Sequence, residues 1–357
     1  MLHEVFEQAS RTGMPIWRVA VVVALGLVSA AGAWAGAGSA VAPLAELGTC
    51  PHRILYERYD GDNWELYVMN ADGSGKRNLT MTPEVHELYP QASPDGTKIC
   101  FLADVAQGED TLRSVYYMNA DGSDRVLVAE KARQPCWSPE GRRIAFVKQE
   151  FDKFNVLDFA SKGICFYDVD TGEITEHSNT EIEHLYNLNW SANGRWIVTT
   201  VHAGMGFRHG IIAIECGGTG VYDLKIPGCR PCLSADGRRV TWSPDDHTIN
   251  VADIDLAAAK PTVSSVKILV RKKELHQYHP DFSPDGKYVT YSVGPGGRTQ
   301  ATGPGTHTQV AEMVGVPGKW NILLKRVDGK GPALELTHDE NLCNKESEWL
   351  PACNDAP

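Results

Sequence analysis

The chain has 357 residues, 22% of them charged and 42% hydrophobic, with a formal net charge of −11. No Lys/Arg block relieves that acidity, which argues against a nucleic-acid partner held by phosphate neutralisation. The 34 Gly and 20 Pro are scattered evenly, which points to many tight turns and away from long helices, disorder or a collagen-like repeat.

The first predicted element is a targeting segment. Residues 19–33 form an uncharged apolar run behind Arg11 and Arg18, and Ala33-Trp-Ala35 offers a small-residue cleavage site. That layout predicts a secretory signal peptide over 1–35 and a linker over 36–49. The expected location is periplasmic or secreted, with no membrane association once the segment is removed. Export would leave the nine cysteines free to oxidise. Cys229-Arg-Pro-Cys232 has no following His, which excludes c-type haem attachment, and no second pair stands at structural-zinc spacing.

From residue 50 onward the chain repeats. Asn70-Ala-Asp-Gly-Ser74 recurs as Asn119-Ala-Asp-Gly-Ser123. A second motif appears at Ser93-Pro-Asp-Gly96, Ser138-Pro-Glu-Gly141, Ser191-Ala-Asn-Gly194, Ser234-Ala-Asp-Gly237 and Ser283-Pro-Asp-Gly286, at spacings of 45, 53, 43 and 49 residues. Each copy precedes a short β-rich run such as Arg143-Ile-Ala-Phe146 or Tyr288-Val-Thr-Tyr291. Ser-Pro-Asp-Gly is turn chemistry, because Pro presets φ, Asp caps the turn and Gly accepts positive φ. Each unit therefore reads as a four-stranded antiparallel sheet that must stack on its neighbours to bury both faces.

Counting gives an all-β, six-bladed β-propeller over 50–357. Blade 1 lacks its first strand, and Glu346-Ser-Glu-Trp-Leu-Pro351 supplies it from the C-terminal side, closing the ring and removing both free sheet edges. Cys50 falls at that seam, so a disulfide from Cys50 to Cys343 or Cys353 is expected. These repeats resemble the TolB-type (PD40, WD40-like) propeller family, and more weakly the oligogalacturonate lyase-type propellers. The family resemblance implies the fold, whereas its members include binding scaffolds, peptidases and lyases. No G-x-S-x-G nucleophile elbow of a propeller peptidase occurs.

Four residues before each turn serine stand Tyr89, Gln134, Asn187, Arg230 and His279, and the closing strand contributes Glu346. Six polar residues, one per blade, suit a ring lining a central channel. Seven residues before the serine stand His86, His184 and His276, in blades 2, 4 and 6. With Gln277 and His279 they form a candidate divalent-metal set for Mn, Zn or Fe. The lyase resemblance implies metal-assisted proton abstraction beside a uronate, with Arg208, His209 and Arg230 as candidate catalytic partners. Long Gly-containing insertions at 202–210 and 294–319 suggest mobile loops. The expected function is an exported, monomeric binding module that engages an envelope or extracellular protein, or a carbohydrate, through the channel face. The alternative is a metal-dependent polysaccharide lyase or other glycan-active enzyme.

Overall fold

The computed structural model describes residues 45–296 and 313–353, together with the backbone of a short hairpin, Arg298–Gln300 against Thr308–Val310. The predicted signal peptide, most of the linker and much of the second insertion lie outside the described residues. No helix among the described residues is long and apolar enough to cross a membrane.

Six four-stranded antiparallel sheets follow one another along the chain. Their first strands are His86–Ala92, Ala132–Trp137, Leu185–Trp190, Cys229–Leu233 and His276–Phe282 for blades 2 to 6. Each is joined to its second strand by the expected turn, whose serine hydroxyl accepts an N–H from five residues on, as Ser93 does from Lys98 and Ser283 from Tyr288. The glycines of these turns have φ near +70°, the region that a Cβ disfavours.

Blade 1 is closed as the sequence predicts. Cys343–Leu350 pairs antiparallel with Arg53–Tyr59, from Tyr59↔Cys343 to Arg53↔Leu350. Separate apolar clusters then form where blades face each other. Ile54, Tyr56, Trp349, Tyr288 and Leu324 pack between blades 1 and 6, and Leu55, Val68, Phe101, Met118 and Leu350 between blades 1 and 2. Period-two alternation drives this, because each strand gives one set of side chains to each neighbouring blade.

The expected disulfide is not formed: among the described residues Cys50, Cys343 and Cys353 are not joined to one another. Cys343 pairs with Tyr59, at the far end of that strand from Cys50, and a seven-residue strand separates its ends by about 20 Å. Cys353 does lie near the seam, since the neighbouring Ala352 N–H donates to His52 Nδ1 at 2.9 Å, but its own thiol faces the Gly96 carbonyl at 3.2 Å.

Candidate functional site

The six residues counted back from the turns occupy one repeated backbone defect. Tyr89, Gln134, Asn187, Arg230, His279 and Glu346 all have φ between +49° and +60°. In every blade the pairing of first and second strands slips at this point. A non-glycine residue in the left-handed region costs on the order of 1 kcal/mol, so six equivalent cases mark a feature that the surrounding fold enforces. The bulge re-aims each side chain out of the regular alternation. Sequence reasoning missed this although a signal was present. Pro90, Pro135, Pro231 and Pro280 each follow a ring residue, and Pro cannot donate to a ladder inside a sheet.

The structure brings the ring together. Asn187 donates its side-chain amide to the Tyr89 hydroxyl at 3.0 Å, and its backbone N–H to Gln134 Oε1 at 2.8 Å. Glu346 Oε1 receives Arg230 Nη1 at 3.0 Å and stands 2.9 Å from His279 Nε2. Arg230 also donates to Asp158 Oδ2 at 2.9 Å. Asp158 was not foreseen, because it reaches the ring from the connection at 150–160, whose path is a tertiary property. All four of these charged or titratable side chains are buried.

Burial opposes the Glu346 carboxylate, but His279 and Arg230 outweigh it and hold its pKa at about 2. Burial pushes His279 down to about 4, and the Arg230 charge adds to this, leaving the imidazole neutral at pH 7. Neutral His279 then donates Nε2–H to Glu346, while Arg230 stands between two carboxylates. Burial also works against the Arg230 charge, yet Glu346 and Asp158 keep it above its ordinary range.

Two residues further toward the turns lies a second tier, with Gln91, Asn189, Cys232, Asp281 and Glu348 facing the same recess. The recess has a cavity volume of about 30 Å³ beneath an open mouth, and is bounded by residues of blades 1, 2, 4, 5 and 6. Two further buried side chains stand beside the ring. Asp158 reaches in from blade 3, and buried Lys345 donates to the carbonyls of Met313 and Val316.

The candidate metal set is not assembled. Among the described residues no three His, Cys, Asp or Glu side chains are gathered so as to hold a metal ion. His86, His184 and His276 occupy equivalent strand ends in alternate blades, each engaged locally. His86 Nδ1 accepts the Trp64 N–H, His184 Nε2 lies 3.3 Å from Glu150, and His276 packs edge-on against His247 at 5.2 Å. Gln277 is turned to the His247 carbonyl, and His279 belongs to the ring instead. The donors for a metal-assisted lyase are therefore not brought to one place by these residues. The catalytic candidates are likewise separated in kind: Arg208 is exposed, His209 Nε2 meets the Tyr186 hydroxyl at 3.1 Å beside His202, and Arg230 is in the ring.

No family model matches the chain. It is similar to an uncharacterized peptidase, YuxL, of Bacillus subtilis, at 28% identity over 211 residues; this covers 57% of the chain but only 29% of that protein. Among solved structures it resembles TolB from Acinetobacter baumannii, with a TM-score of 0.58 at 20% identity over 84% of this chain and 67% of the other. A chain of the nidogen/laminin complex overlaps with a TM-score of 0.56 at 10% identity, over 84% of this chain and 99% of that one.

Proposed function

We propose that this TolB-type propeller is an exported binding module that receives part of a protein or carbohydrate ligand in the channel recess on the turn side. The carrying observation is the ring itself. Six left-handed, non-glycine bulges hold polar side chains toward one axis, and the second tier beside them remains in contact with solvent. Such a pre-ordered polar recess lowers the ordering cost of binding. The outward resemblance to TolB supports the scaffold, and the apolar run at 19–33 supports export.

The test is a paired screen of the full chain and a Gln91→Trp variant, whose indole would fill the recess from a partly exposed position. Both are offered a peptide display library and a glycan array. Ligands retained by the parent chain and lost by the variant support the proposal. Ligands that bind both equally well would refute it.

A further inference from the structure

The second tier presents two carboxyl groups that, among the described residues, no cation faces. Asp281 of blade 6 and Glu348 of the closing strand occupy equivalent positions in adjacent blades. Asp281 Oδ2 accepts the Trp349 N–H at 2.7 Å and Oδ1 lies 2.9 Å from the Cys232 thiol. Glu348 Oε1 accepts the Ala92 N–H at 3.3 Å and Oε2 receives the Gln91 amide at 3.4 Å. Among the described residues neither carboxylate has an ion-pair partner, whereas Arg230 on the tier above is committed to Glu346 and Asp158. Ser347, next to Glu348 on the closing strand, lines the same recess. It is 5% exposed, and its hydroxyl makes no hydrogen bond among the described residues.

We propose that this tier binds an organic ammonium group, with Asp281 and Glu348 as counter-charges and the Ser347 hydroxyl as a third acceptor. The inference rests on the reading of the recess as a binding site and names the chemistry it takes. An ammonium head has three N–H donors on a compact centre, matching three acceptors drawn from three residues. A guanidinium would demand both oxygens of one carboxylate in a planar fork, and each carboxylate here already spends an oxygen on a backbone N–H. A metal ion would need further charged or imidazole donors, and no such group of three is assembled among the described residues. Burial and the neighbouring Asp281 raise the Glu348 pKa well above the usual carboxylate range, and burial raises Asp281 to about 6, as expected of a site completed by an incoming cation.

The source of the ammonium can be a lysine side chain of a protein or a free amine. Titration calorimetry on the full chain uses an end-blocked lysine tripeptide, its norleucine counterpart, and cadaverine. The lysine peptide should bind about tenfold or more tightly than the norleucine peptide, and Glu348→Gln or Asp281→Asn should each erase that preference. Cadaverine binding as tightly as the peptide would assign a free amine; tighter binding of the peptide would assign a protein lysine. Equal binding of the lysine and norleucine peptides overturns the inference, and that comparison needs no variant. Displacement of the amine by stoichiometric Mg²⁺ or Ca²⁺ also overturns it. If the Gln91→Trp screen yields recess ligands that show no lysine preference, the binding reading stands and the ammonium assignment alone falls.

Discussion

Arg230 of blade 5 and Glu346 of the closing strand meet 3.0 Å apart at the channel, although 116 residues separate them in the chain. The contact joins the two things that define this molecule, ring closure and the polar channel. The strand that completes blade 1 also delivers the carboxylate on which Arg230 and His279 converge.

Removing Arg230 should therefore cost far more than a surface charge. Arg230→Ala leaves Glu346 and Asp158 buried beside each other without their shared cation. A loss of about 3–5 kcal/mol in urea unfolding is expected, against under about 1 kcal/mol for the exposed pair partner in Lys148→Ala.

His279 supplies an acid-sensitive limb. Its pKa is about 4 when folded and near 6.5 otherwise, so the unfolded chain binds the extra proton between those values. The stabilisation is complete above about pH 6.5 and is lost as pH falls toward 4, by up to about 3 kcal/mol. Asp281, raised to about 6, acts in the opposite sense over part of that window, so the comparison must be made against a variant. His279→Gln should lose less stability than the parent chain between pH 7 and pH 4 by chemical denaturation. Parallel curves would contradict the placement of a neutral imidazole in the ring.

Two glycines in the same turn provide a matched test of the closing strand. Gly96 and Gly141 have φ of +71° and +70°, so alanine carries the same backbone strain at both. A Cβ on Gly96 would lie 2.2 Å from the Pro351 carbonyl oxygen, whereas on Gly141 the nearest atom is 3.9 Å away. Gly96→Ala should destabilise by the shared cost of about 1–2 kcal/mol plus the displacement of the closing segment. A melting temperature lower than that of Gly141→Ala is the expected result.

The thiols should react in an order set by burial. Cys353 is exposed, while Cys100, Cys136 and Cys232 are buried with their pKa pushed up by burial. Alkylation followed by peptide mapping should label Cys353 first and those three only after denaturation.

The turns and the closing strand were legible because their chemistry is local. Ser-Pro-Asp-Gly fixes a turn, and Trp349 fits the place that Phe282 holds in blade 6. The ring was legible as positions, since strand length fixes the distance back from each serine. Its conformation was not read, although the prolines after Tyr89, Gln134, Arg230 and His279 encode the bulge. Asp158 could not be found that way, because nothing local tells where the 150–160 connection goes. The histidines stand apart for a geometric reason: equivalent positions in alternate blades share an end of the disk without sharing a neighbourhood.

The most direct test of the channel reading is hydroxyl-radical footprinting of the full chain with a ligand from the paired screen. Protection is expected at recess residues on the first strands, among them Gln91, Asn189 and Glu348, with the outer strands unchanged. Protection confined to the outer edge, or to the separate surface hollow near Asn193, Arg238 and Asp255, would contradict it.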